Sequence, residues 1–352
     1  MSANPPLPVR HRFLPCQVGE VRLAFDVSLL AGIRRSDNVQ RNPVADGPAG
    51  WLLDDGEVPV IDLGTWLGVS SHFQQSSAGG ASRVLVFNHG ETPRGLLVDA
   101  SGRARDVQDG ELRALPKVVG NLSHLGIRGI WTSDDRPWLV LDSSAPSLID
   151  RQPAPPDATP SDTARPELDS ALSSGVSPAA GSNAQPVSAT ARAGAGGRML
   201  LFATRESQTF ARPVSFGLSI TQVLEVAALP SLDPVPGAPG FVLGLAMWRD
   251  EPLPVIDLDS RLGWASGAGR HERMLVARAA DGSLLALAVH GALRMLRLPV
   301  PHRPSQLDFN QSLALGVFEL EAETLILPDL AQLSQLSPPA QLSQPVQPDG
   351  AA

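Results

Sequence analysis

A single cysteine, Cys16, in a chain of 352 residues has no partner thiol within the chain. That excludes an internal disulfide framework and any site built on paired thiolates, and it fits a reducing, cytoplasmic compartment. Tyrosine is absent and aromatic residues amount to 5%, which weighs against a β-barrel that binds ligands or glycans through aromatic loops. Positive charge is scarce: 28 Lys and Arg stand against 36 Asp and Glu, for a net charge of −8 and a pI near 5.4. No basic face is expected for phosphates, so neither nucleic acid nor an anionic membrane surface is an expected partner. Long apolar runs are missing too. The longest, residues 241–248, falls far short of the roughly 20 residues of a membrane span, and the Pro-rich residues 1–10 lack the apolar centre of a signal peptide.

The motifs of catalysis are also missing. No Gly-x-Ser-x-Gly elbow, Walker-type glycine loop or acidic receiver cluster with its lysine occurs, and Cys16 lies in an apolar strand context that suits inert packing. The seven histidines, His11, His72, His89, His124, His271, His290 and His302, are scattered and none stands in an HxxxH or HExxH arrangement. Asp62 and Asp257 each sit where a strand hands over to a helix, a place where aspartate is a preferred N-cap rather than an acid or base. Asp26 and Asp99, each after an apolar strand, read as turn or cap residues. No enzyme, catalytic residue, metal site or cofactor is expected.

What the chain does hold is proline and glycine, 33 and 32 residues, and an internal repeat. Residues 151–197 are dominated by Pro, Ala, Ser, Gly and Thr without an aromatic, a composition that cannot offset the entropy of ordering and reads as a disordered linker. Residues 1–10 and 337–352 read as a disordered N-terminus and tail. Two folded stretches remain, 11–150 and 198–336, and they resemble each other. GEVPVIDLGTWLG (residues 56–68) is answered by EPLPVIDLDSRLG (residues 251–263), and RVLVFNHGETPRGLLVD (residues 83–99) by RMLVARAADGSLLALAVH (residues 273–290). Short apolar or alternating segments at residues 84–87, 94–98, 274–277, 284–289 and 313–320, parted by Gly, Asp and Asn, predict strands and hairpins. Helices are expected only at residues 27–33, 64–67, 219–224, 259–262 and 328–336, so both halves read as mainly β, of the small-barrel kind.

The second half carries a more specific signal. PGAPGFVLGLAMWRDEPLPVIDLDSRLG (residues 236–263) resembles the CheW-like pattern: a Pro-Gly turn, a strand, a polar hairpin turn with an arginine, a second strand ending Pro-Val-Ile-Asp-Leu, and a short helix. SITQVLEV (residues 219–226) stands where that family carries a short helix ending in Glu. The first half matches through the repeat but lacks the Pro-Gly turn and the hairpin arginine, and so resembles a divergent member. The resemblance implies two tandem CheW-like modules, each a pair of five-stranded SH3-like barrels with a few short helices and a shared core. It implies a non-enzymatic adaptor of bacterial chemotaxis, coupling chemoreceptor cytoplasmic tips to the regulatory domain of a CheA-type histidine kinase, in association with polar or membrane-bound receptor arrays. Other CheW-like proteins are further partners under this reading. An alternative within the same class is a polar-localisation or array-assembly adaptor whose N-terminal module has a different partner.

The resemblance also points to residues. Glu225 and Arg249 match family positions suited to pairing beside the receptor-binding groove; a plain surface ion pair is the competing reading. Aligning SLLAGIR with SITQVLE sets Arg34 opposite Glu225, and aligning the VPVIDL runs sets Asp54 opposite Arg249, which predicts a charge-reversed pair in the first module. Trp248, next to Arg249, reads either as a partner anchor or, with Trp51, Trp66, Trp131, Trp138 and Trp264, as core filling.

Overall fold

The computed structural model describes residues 11–41, 50–52, 58–69, 82–89, 92–142, 197–204, 212–264, 271–297, 303–304 and 311–335. The expected disordered N-terminus, tail and all but Gly197 of the expected linker lie outside the described residues, as does Asp54.

Both modules fold by the same route. In each, an early strand and the last strand meet in parallel. Leu23, Ala24 and Phe25 lie beside Leu139, Val140 and Leu141 in the first module, and Val214, Ser215 and Phe216 beside Thr324, Leu325 and Ile326 in the second. The ends of a module therefore close one barrel, the terminal barrel, and its middle closes another, the central barrel. The central barrels repeat the device: Val60, Ile61 and Asp62 run parallel to Gly95, Leu96 and Leu97, and Val255 and Ile256 to Ala286 and Leu287. Every other strand pairing among the described residues is antiparallel, as expected of a chain rich in hairpin turns. Short segments such as Val39–Arg41 and Ala100–Ser101 bring the first module to sheets of seven and six strands rather than five and five. In the second module one 14-residue strand, Leu284–Arg297, serves both barrels and joins them in a single ten-stranded sheet.

Strand alternation divides the apolar residues between two destinations. In Arg273–Arg278, Met274 and Val276 point into the central barrel with Ala246, Leu253, Val255, Ala286 and Ala288. Leu275 and Ala277 point the other way, into a large core with Ile256, Leu285, Leu287 and Val289. The first module does the same: Val84 and Val86 fill its central barrel, and Leu85 and Phe87 join the large core. Smaller interiors fill the terminal barrels, Phe13, Ala24, Val107, Trp131 and Val140 in one and Met199, Leu201, Leu325 and Leu327 in the other. Each fully buried large apolar side chain contributes about 1.5–3 kcal/mol, so the core between the barrels dominates cohesion.

The α-helices follow strand ends, as the sequence predicts: α1 at Leu63–Leu67, α2 at Leu258–Arg261 and α3 at Leu330–Leu333. The expected capping aspartates cap them. Asp62 Oδ1 accepts from the Gly64 amide at 2.9 Å, and Asp257 Oδ1 from the Asp259 amide at 3.0 Å. Asp26 accepts from the Ser28 amide at 2.9 Å and Asp99 from the Gly19 amide at 2.6 Å, as cap and turn residues respectively.

Two helix expectations are corrected. Residues 27–33 form one 3-10 turn, Val27–Leu29, and then the strand Leu30–Arg35. Residues 219–224 are a turn leading into the strand Val223–Ala228, so Glu225 lies within a strand and ends no helix. Ladder hydrogen bonds to the neighbouring strands Arg83–His89 and Arg273–Arg278 satisfy backbone groups that a lone helical turn leaves unpaired, and tertiary pairing overrides local propensity.

The modules are docked on each other, which repeat logic alone did not anticipate. The terminal barrel of the first presents Arg22, Arg113 and Arg136 to the central barrel of the second. Arg22 pairs with Asp233, a residue only 6% exposed. Arg136 Nη1 lies 3.9 Å from the other Asp233 oxygen and donates to Ser231 Oγ at 3.2 Å. Arg113 donates to the Asp250 carbonyl at 3.4 Å and lies 3.7 Å from Glu251. Burial, with the Arg136 charge nearby, holds the Arg22 guanidinium below the usual arginine pKa. Beside these charges the Pro236–Gly237 turn receives Leu122 and Leu125: a Cβ on Gly237 would stand 2.8 Å from Leu125 Cδ1, at a φ of +71°.

Candidate interaction surface

Among the described residues the strand Val223–Ala228 is an edge of the second module's sheet, paired only with Arg273–Arg278. A register shift between Val223 and Glu225 interrupts the ladder, and bulges of this kind re-aim side chains. Across from it the hairpin Val242–Trp248 to Glu251–Ile256 turns through Arg249 and Asp250. Both turn residues hold positive φ, +49° and +64°, without being glycine. A two-residue hairpin turn of this hand favours Asn and Gly, and a side chain there costs on the order of 1 kcal/mol. The Asp134–Asp135 turn of the first module is built the same way, at +52° and +55°.

The bulge and the turn bring together Glu225, Trp248 and Arg249. Glu225 Oε2 accepts from Trp248 Nε1 at 2.8 Å and from Arg249 Nη2 at 3.1 Å. The Arg249 guanidinium lies over the Trp248 ring, 4.6 Å from its centroid. Arg249 is 69% exposed and Glu225 39%, whereas Trp248 packs in part against the interior of the central barrel. The sequence expectation that Glu225 and Arg249 pair is met in the structure. Trp248 rests in part on apolar neighbours, as core filling expects, and donates to the Glu225 carboxylate.

Around this cluster the edge strand exposes apolar side chains that sequence reasoning missed. Leu224 and Val226 are 36% and 39% exposed, and Ile220, in the turn before them, 37%. The alternation of Leu224, Val226 and Ala228 on one face was the available signal.

The first module departs from expectation here. Its ladder pairs Gly32 with Val86 where the second pairs Glu225 with Val276. Since Val86 and Val276 are equivalent in the repeat, Gly32 and not Arg34 occupies the Glu225 place. Arg34 lies two residues on, but its guanidinium folds back over Gly32, with Nη1 2.9 Å from where a glycine Cβ would stand. Positive charge thus covers the spot that carries a carboxylate in the second module. The expected Arg34–Asp54 pair has its second member outside the described residues.

No group of three metal-ligating side chains occurs among the described residues. Cys16 is buried in its strand, with its thiol pKa pushed up by that burial. No described helix is long and apolar enough to cross a membrane.

The described residues thus form two duplicated double-barrel modules, the second bearing a polar cluster on a sheet edge. The CheW-like domain matches residues 12–147 and 198–338, and the chain belongs to that family, whose members are non-catalytic scaffolds. It is 27% identical over 121 residues to the chemotaxis protein CheW of Rhizobium meliloti (strain 1021), a match covering 33% of this chain and 77% of that protein. Among solved structures it is similar to the scaffolding protein TtCheW of Thermoanaerobacter tengcongensis, at 18% identity and a TM-score of 0.31, over 38% of this chain and 90% of that one. Together with the family match, the CheW relative supports a scaffold or adaptor role in chemotaxis.

Proposed function

We propose that the chain couples chemoreceptor cytoplasmic tips to the regulatory domain of a CheA-type histidine kinase, with Glu225, Trp248 and Arg249 as part of the contact surface and receptor arrays as its place of work. The observation that carries this reading is the cluster itself. An exposed ion pair by itself contributes about 0–1 kcal/mol and needs no functional explanation. Here one carboxylate oxygen takes two donors and the guanidinium is stacked, so a charged, preorganised cluster stands on an edge strand whose other face exposes Leu224 and Val226. Such a mixture of aromatic, arginine and flanking apolar groups is what binding energy concentrates on.

The test is a pull-down of a receptor tip fragment and of a kinase regulatory domain by the full chain, wild type against Arg249→Glu. Retained folding with binding weakened about tenfold, roughly 1.4 kcal/mol, is expected. Wild-type chain that binds neither partner, or a variant that binds both as well as wild type, would sink the reading.

A second reading, that the N-terminal module serves a different partner in polar localisation or array assembly, draws on a specific observation. With Gly32 in the Glu225 place and the Arg34 guanidinium over it, that module lacks the carboxylate that a partner of the second module would seek there. It predicts that Arg34→Glu leaves binding of receptor tip and kinase domain unchanged.

A further inference from the structure

The contact between the modules is heterologous: the terminal barrel of one meets the central barrel of the other. A contact of that kind, repeated from copy to copy, generates rings or filaments whenever the faces left uncovered match. Among the described residues two faces of the same two kinds carry no module, the terminal barrel of the second and the central barrel of the first, and strand register identifies the residues there that correspond to the contact.

Leu23 beside Leu139 corresponds to Phe216 beside Ile326. The arginine positions, 22 and 136, therefore fall on Ser215 and Glu323 in the second module. Glu323 is buried and engaged by Ser215 and Arg294, so an acid stands where the docking face needs a base. On the receiving side Asp233 bridges Leu245, which lies opposite Pro254. In the first module Gln40 pairs with Trp51, which lies opposite Pro59, and Pro59 and Pro254 share their place in the repeated Pro-Val-Ile-Asp-Leu run. Gln40 thus holds the Asp233 place, uncharged and exposed. The turn that receives Leu122 and Leu125 also belongs to the second module alone: no Pro-Gly pair occurs in the first half.

We infer that the N-terminal module is the resident occupant of the Asp233 face of the C-terminal module, selected by Arg22 and Arg136, and that this pairing closes within one chain and does not propagate between copies. The complementary set of two arginines, buried aspartate and Pro-Gly turn occurs in one combination of faces. The tether of residues 143–196 raises the local concentration of one module at the other far above that of a second chain. This inference stands on the docking geometry and is independent of the partners proposed above.

It is tested on the full chain carrying a protease site within residues 151–197. After cleavage the wild-type halves should co-elute as one complex of a single copy of each, and the uncleaved chain should stay monomeric as its concentration rises. Asp233→Arg should weaken the pairing of the cleaved halves by about tenfold or more, as expected for a buried charge pair turned repulsive. The combination Asp233→Arg with Arg22→Glu and Arg136→Glu should restore it. That rescue separates a broken lock from a module that fails to fold. Gly237→Val is a second route, because it obstructs the turn without touching the charges. Cleaved wild-type halves that separate at low ionic strength would overturn the inference, as would Asp233→Arg halves that stay together undiminished. So would concentration-dependent wild-type oligomers that Asp233→Arg dissolves, since these would place the contact between copies.

Discussion

Place for place, the two modules keep apolar interiors, most alike in the central barrels, and differ on their edges. The buried strand Val58–Asp62 and its counterpart Glu251–Ile256 run Pro-Val-Ile into the same capped helix, whereas the bulged edge strands carry Gly32 in one and Glu225 in the other. Interiors answer to packing, where a change of volume is felt at once. Edges answer to whatever lies outside, and after a duplication the two copies are free to meet different neighbours there. Where the modules agree, the residues hold the fold; where they disagree, they choose company.

The comparison is most severely tested where agreement is strongest. Leu63 and Leu258, the first residues of α1 and α2, are both 0% exposed, and truncating either to alanine should cost about 2–5 kcal/mol, measured by denaturant unfolding. A cost well below 1 kcal/mol at one site and not the other would show that only one module depends on this core. Next come the caps. Asp257, 2% exposed, also accepts from Ser260 Oγ at 2.7 Å, whereas Asp62 is half-buried and accepts from Thr65 Oγ1 at 3.0 Å. Asp257→Ala should therefore lie toward the upper end of the cap range, about 2 kcal/mol, and Asp62→Ala toward its lower end, about 0.5–1 kcal/mol. Reversed order in thermal melts would refute the burial argument.

On the differing edge, Glu225→Gln should change stability by no more than about 1 kcal/mol while weakening partner binding. A variant that unfolds the module would recast Glu225 as structural. The smallest effect concerns acid. Asp26 of the first module corresponds to Ser219 of the second, each ending the same strand pairing. Its carboxyl is desolvated, which raises its pKa, but hydrogen bonds from Ser28 and the nearby His11 outweigh that and hold it below the usual value. A lowered folded-state pKa gives stability that is present above the ordinary carboxylate range, near about pH 4, and is lost as the pH falls through the folded value. Asp26→Ser should flatten that acid slope of the melting temperature; an unchanged slope would assign it to other carboxylates.

Much of this was legible in the sequence, for physical reasons that differ by element. The Val-Ile-Asp-Leu runs announced strand, cap and helix together because each step is local: alternation, an oxygen at the N-cap, an apolar first turn. The meeting of Glu225 with Arg249 was legible through family resemblance. Its counterpart was misaligned because a bulge shifts the register of the edge strand, and an ungapped comparison of SLLAGIR with SITQVLE has no means of seeing a ladder. The docking of the modules was not legible at all. Arg22, Arg113 and Arg136 are scattered along the first half and converge only when the barrel closes, and Asp233 reads as one more loop carboxylate.

The long strand Leu284–Arg297 gives the second module a continuity between its barrels that the first lacks. Its early residues carry the neighbour of the edge strand and its later residues pair with Arg198–Ala203 in the other barrel. Between the two it bends at Gly291, whose φ is +69°, where the ladder with Arg198–Ala203 shifts register. In the first module the corresponding path stops at Val98, turns at Asp99 and resumes in short pieces, Ala100–Ser101 and Arg105–Val107. One strand with a single bend thus ties the edge strand's neighbour to both barrels of the second module, where the first makes the same journey in separate short pieces.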